Sequence, residues 1–171
     1  MRYFIIGYKS SGKTTLGKQL AAKLNMKFID LDEFIENKEK KTIPEIYTEL
    51  GDEEFRILEW KMLKEIVKED NVVVSTGGGT PCHCDNMNIM QNYGDTIYIK
   101  IDEDILVSRL KIAVSKNRPI VKDMDVEELK KYVSNLKRNC EHHYVQAKHI
   151  IEGRNIKAED IIFLLGLQPA G

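Results

Sequence analysis

Residues Gly7-Tyr8-Lys9-Ser10-Ser11-Gly12-Lys13-Thr14 spell G-x-x-x-x-G-K-[ST] in full. No other stretch limits the fold so tightly, because the motif works only in one setting. Gly7 and Gly12 let the backbone curl until consecutive N–H groups face a phosphate. A helix that starts at the end of the loop adds its positive N-terminal end. Lys13 brings a point charge to the β- and γ-phosphates, and the Thr14 hydroxyl suits Mg²⁺. That setting is present. Residues 3–6 form an apolar run that stops at Gly7, as in a strand buried on both faces. Residues 14–24 follow with Leu16, Leu20 and Leu24 on one helical stripe. Gly7, Ser10, Ser11, Gly12, Lys13, Thr14 and Thr15 are the candidate nucleotide-phosphate residues.

The rest of the chain keeps the same alternation. Apolar runs predict strands over 27–31, 71–75, 96–101 and 149–151. Helical spacing predicts helices over 52–68, 85–93, 103–113, 126–148 and 158–165. The order implies an α/β fold with a mainly parallel sheet. Residues 114–125 carry Lys116, Arg118, Pro119, Lys122 and Asp123 with no period, and have the length of a lid loop. A solvated connection is the plainer alternative. With 171 residues the chain is read as one domain, 1–171.

Composition narrows the partners. The net charge is −1, so a general nucleic-acid binder is excluded. The longest uncharged apolar run, near 161–167, is far too short for a membrane span. The start of the chain has no signal-peptide core. Cysteines 82, 84 and 140 are odd in number, which argues against a disulfide framework and for a reducing cytoplasm. A monomer acting on small molecules is expected. A GTPase is not, because the nearest string to Asn-Lys-x-Asp is Asn37-Lys38-Glu39-Lys40. A small kinase is the remaining default.

Three later segments suit an acceptor. Phe28-Ile29-Asp30-Leu31-Asp32 ends the second strand with two carboxylates, which strand alternation would put on one side. One could serve a metal's water shell and the other a hydroxyl proton. Asp-x-Asp also suits a helix start. Arg56 and Glu59 share a helix face, so Glu59 could orient a guanidinium fork suited to a carboxylate; a surface ion pair is the alternative. Val72–Ser75 then runs through Thr76 into Gly77-Gly78-Gly79, exposing backbone where open α/β sheets bind ligands.

Taken in order, the phosphate loop, Phe28-x-Asp30-x-Asp32, Gly51-x-x-x-Phe55-Arg56-x-x-Glu59, Thr76-Gly77-Gly78-Gly79 and Arg118-Pro119 resemble the shikimate kinase family over nearly the full length. The resemblance implies a P-loop fold like that of nucleoside monophosphate kinases. A five-stranded parallel sheet would have helices on both sides, acceptor-binding helices at about 32–68 and a lid at about 114–125. It implies phosphorylation of the 3-hydroxyl of shikimate by ATP with Mg²⁺, on the route to chorismate and aromatic amino acids. It makes Asp32 the base and acceptor contact, and gives Mg²⁺ to Thr14, Asp30 and Ser75. Arg56 and Gly77, Gly78 and Gly79 hold the acceptor, with Tyr47 and Phe55 as apolar walls. Lys13 and the lid residue Arg118 stabilise the transferring group, Arg109 sits at the base of the lid, and Arg154 lies near the adenine segment.

The chain departs from the family pattern late in the long helix. The family places an acceptor-binding arginine four residues before a tyrosine. Alignment on Tyr144 puts Cys140 there, with Arg138 two residues early, about 200° of helical rotation away. Arg138 serves only if the alignment slips and His142 replaces the tyrosine. Ser10 also stands where the family commonly has glycine, which the general motif tolerates. Cys82-His83-Cys84 and Cys140-x-His142-His143 match no zinc spacing and read as ordinary thiols. Kinases for gluconate or for nucleoside monophosphates, and a non-catalytic ATP-dependent binding module, are the competing readings.

Overall fold

The computed structural model describes residues 1–114 and 124–168. Its centre is a five-stranded sheet of β1 (Arg2–Ile6), β2 (Lys27–Asp30), β3 (Val72–Ser75), β4 (Asp95–Lys100) and β5 (His149–Glu152). The order is β2-β3-β1-β4-β5, and every pairing is parallel. The three inner strands are buried on both faces, which is why they read as unbroken apolar runs. Seven helices flank the sheet among the described residues: α1 (Lys13–Leu24), α2 (Leu31–Glu39), α3 (Ile43–Ile66), α4 (Asn86–Tyr93), α5 (Glu103–Val114), α6 (Val126–Tyr144) and α7 (Ala158–Leu164). α1 packs on β1, β2 and β3 and against α7, while α4 packs on β4 and α3. No helix of the described residues is long and apolar enough to cross a membrane.

Register places the site. Ile5 pairs with Ser75, and Ser75 pairs with Asp30. The carboxyl ends of β1, β3 and β2 are therefore level. They deliver the phosphate loop, the glycine run and the Asp30 carboxylate to one edge of the sheet.

Three boundaries differ from the sequence expectations. The second strand ends at Asp30, whose side chain caps α2 by accepting from the N–H groups of Asp32 and Glu33. Asp32 is thus in a first helical turn and not on a strand, so strand alternation is not what brings it to the site. The helix expected from residue 52 is the second half of a longer one. Gly51, at φ 77°, breaks α3, and a Thr42–Glu45 capping box starts its first half. α6 stops at Tyr144, short of 148, because β5 begins at His149 and the chain must turn onto the sheet. The Lys148 N–H makes that turn by donating to Thr96 Oγ1 at 2.9 Å.

Candidate active site

The phosphate loop folds as its composition requires. Gly7 has φ 145° and Gly12 φ 98°, and a Cβ on Gly7 would lie 2.8 Å from the carbonyl oxygen of Ile99. Ser10 also takes a left-handed φ of 67°, a conformation that costs a non-glycine residue about 1–2 kcal/mol. This accounts for the glycine that the family pattern has at that position. Lys13 is buried, and its ammonium donates to the Tyr8 carbonyl at 2.7 Å. The buried Ser11 hydroxyl has no hydrogen-bond partner among the described residues. A buried donor without a partner is costly, so an anion in the loop would relieve it. Arg109, on α5, clasps the loop from outside by donating to the carbonyls of Ser11 (2.9 Å) and Ser10 (3.4 Å).

Beside the loop is an open cleft of about 350 Å³ lined by Ser11, Gly12, Thr15, Arg109, Asn155 and Ile156, among others. The sequence reading placed Arg154 near this segment. Arg154 itself is exposed and pairs with Asp104 at 2.6 Å and Asp102 at 3.7 Å, and its three successors line the cleft.

The Thr14 hydroxyl donates to Asp30 Oδ2 at 2.7 Å and lies 3.4 Å from Ser75 Oγ. Three hard oxygen donors converge at the start of α1, the donor set that Mg²⁺ prefers when phosphates supply the rest. The residues present fit that ion.

Across from the loop is the glycine run after β3. Asp32 Oδ1 stands 3.0 Å from where a Gly77 Cβ would be, and Arg56 Nη1 stands 3.0 Å from where a Gly79 Cβ would be. The sequence therefore leaves side chains off this shelf so that others can stand over it. Burial pushes the Asp32 carboxyl above the usual aspartate range and Asp30 adds to this, while Lys13 and Lys9 oppose it. The Arg56 guanidinium donates from Nη1 to the buried Glu59 at 3.1 Å, as helix spacing suggested. Glu59 also accepts from the Thr80 hydroxyl at 2.6 Å. Burial nonetheless raises Glu59 from its ordinary value. Arg56 Nε is buried 3.4 Å from Asp52 Oδ1 without hydrogen-bond geometry. Phe55 is buried and Tyr47 packs on it, with ring centroids 5.2 Å apart.

The helix α6 closes the site from the far side. Tyr144 is buried, and its hydroxyl donates to the Gly78 carbonyl. It is the tyrosine on which the alignment rests, whereas His142 is exposed. Cys140 is then half-buried and packs against the core, as does Cys82 just beyond the glycine shelf. Arg138 is exposed and has no ion pair or hydrogen bond among the described residues. The structure does not bring it to Arg56, and the reason is the helical phase anticipated above. Arg118 and most of the segment 114–125 lie outside the described residues.

Sequence reasoning missed a polar cluster. Tyr8, in the phosphate loop, and Tyr98, on β4, both donate to the Glu141 carboxylate on α6. Tyr8 meets the ring of Tyr144 edge-on, and Tyr98 stacks on it. The partners are over a hundred residues apart in the case of Tyr8 and Glu141, so no local pattern could reveal them. Lys9 was also passed over, as an unconstrained motif position.

Comparison with known proteins agrees with this geometry. The shikimate kinase family model matches residues 9–165. A shikimate kinase of Azobacteroides pseudotrichonymphae is 45% identical over 162 residues, covering 94% of this chain and 95% of that one. The crystal structure of shikimate kinase from Bacteroides thetaiotaomicron superposes with a TM-score of 0.93 at 39% identity, covering 98% of this chain and 99% of that one. Shikimate kinase from Acinetobacter baumannii in complex with shikimate gives a TM-score of 0.84 at 28% identity, covering 96% and 93%.

Proposed function

The chain belongs to the shikimate kinase family, and from that premise we propose that it transfers the γ-phosphoryl group of ATP to the 3-hydroxyl of shikimate. The products are shikimate 3-phosphate and ADP. The observation that carries the reading is the glycine shelf, with a carboxylate over one end, a guanidinium over the other and the phosphate loop alongside.

The acceptor's carboxylate pairs with Arg56, whose charge and planar fork suit it. Its reacting hydroxyl faces Asp32, which takes the proton as the new O–P bond forms. The bond from the γ-phosphorus to the bridging oxygen of ADP breaks in line. Lys13 leaves the Tyr8 carbonyl for the phosphates, and the loop N–H groups stabilise charge on the transferring group. Thr14, Asp30 and Ser75 would hold Mg²⁺, which neutralises phosphate charge when bound. The three free cysteines support a reducing cytoplasm as the working compartment.

A nucleoside monophosphate acceptor fits less well. Among the described residues Arg56 is the arginine over the shelf, and it already faces Glu59 and Asp52. That balance suits a monoanionic carboxylate better than a phosphate dianion. The test is ADP release with shikimate, gluconate and nucleoside monophosphates in parallel, with the product's phosphate position read by NMR. Saturable release with shikimate and a 3-phosphate product is expected. Faster release with either other class, or release with none, would overturn the reading.

A further inference from the structure

Each of the three shelf glycines turns its open side to a different charged residue. Gly77 faces Asp32 and Gly79 faces Arg56. Gly78 faces Lys9: a Cβ there would lie 3.1 Å from the Lys9 backbone nitrogen and 3.7 Å from its Cβ. Lys9 therefore stands between the base and the guanidinium, on the phosphate-loop side of the shelf. Its positive charge is felt at the Asp32 carboxylate.

The loop thus carries two ammonium groups with different outlooks. Lys13 is buried and points back to the Tyr8 carbonyl, whereas Lys9 is exposed on the shelf side. The motif constrains the first and leaves the second open. The shelf also has use for a cation. Arg56 divides its charge between Glu59 and Asp52, and Arg138 is exposed elsewhere.

We propose that Lys9 is a specificity residue whose ammonium contacts the acceptor across the glycine shelf, sharing with Arg56 the recognition of a small hydroxylated monocarboxylate. This rests on the function proposed above. The contact holds the acceptor between two cations and turns its hydroxyl edge toward Asp32.

The test replaces Lys9 with methionine, which keeps length and removes charge. In Lys9→Met the KM for shikimate rises about tenfold while the KM for ATP stays within about twofold. Lys9→Arg restores most of the affinity for shikimate. Thermal unfolding with the unaltered chain as reference establishes that both variants are folded. An unchanged KM for shikimate overturns the proposal, as does a rise confined to the KM for ATP, which would assign Lys9 to the phosphates. Turnover of shikimate by the unaltered chain is read in the same series. Its absence would bring down the underlying function and Lys9's role with it, a result distinct from an unaffected Lys9 variant.

Discussion

The proposed nucleotide side of the site comes from one uninterrupted stretch, residues 7–14, a loop shaped by its backbone. The proposed acceptor side is assembled from four separate segments: Asp32 on α2, Arg56 and Glu59 on α3, the glycines after β3, and Cys140 and Tyr144 on α6. In the first, a few residue types at fixed spacing suffice. In the second, each side chain arrives by packing and is held by a partner from another element. Glu59 is the clearest example, since it is buried and holds Arg56 on one side and Thr80 on the other. A cradle made of backbone depends on local conformation. A pocket made of side chains is only as good as the tertiary structure that gathers it.

Substitutions can set the two halves apart. The largest effect is expected from Asp32→Asn, which should lower kcat by about a thousandfold by removing the base. Nucleotide affinity, read by fluorescence titration with an ATP analogue, should stay within about twofold of normal. Loss of nucleotide binding would show that the halves are not separable. In the unaltered enzyme kcat/KM should fall on the acid side at a pH above the ordinary aspartate range. Burial raises the Asp32 carboxyl, so it takes up its proton, and ceases to be a base, before a solvated aspartate would.

Glu59→Ala comes next. It leaves Arg56 with a partly buried charge and Thr80 without an acceptor, at a cost of about 3 kcal/mol in urea unfolding. The KM for shikimate should rise with the KM for ATP little changed. A loss below about 1 kcal/mol would mean that Glu59 behaves as a solvated surface pair. The smallest effect is expected within the phosphate loop. Ser10→Gly should raise stability by about 0.5–1 kcal/mol, because glycine accepts the left-handed φ that serine resists. Destabilisation would show that the Ser10 side chain contributes more to the loop than its backbone conformation costs.

The same contrast explains what was legible in the sequence. The strand, loop and helix around residues 7–14 could be read directly, because their chemistry is local. So could the α3 segment that carries Arg56 and Glu59, which follows the break at Gly51. Asp30 stands beside Thr14 and Asp32 over Gly77, but strand alternation is not what brings them there. Asp-x-Asp fits a strand end and a helix start equally, and the hydrogen bonds of the Asp30 cap decide between them. α2 escaped individual assignment because its buried positions are only Leu31 and Ile35, too few to set a clear stripe. Arg154 precedes three residues that line the cleft, and its pairing with Asp102 and Asp104 depends on the approach of two distant stretches. The link from Tyr8 to Glu141 was out of reach for the same reason.

The glycine shelf also bears on how such an enzyme can change over time. A methyl group at 77, 78 or 79 would press on Asp32, on the Lys9 backbone or on Arg56, so this wall of the pocket has almost no neighbouring variants open to it. Lys9, on the facing wall, meets Gly78 chiefly through its backbone, so the shelf does not dictate which side chain stands at that position. New acceptor preferences would therefore arise by exchanging what stands opposite the shelf, with the shelf itself as the unvarying reference against which each exchange is measured.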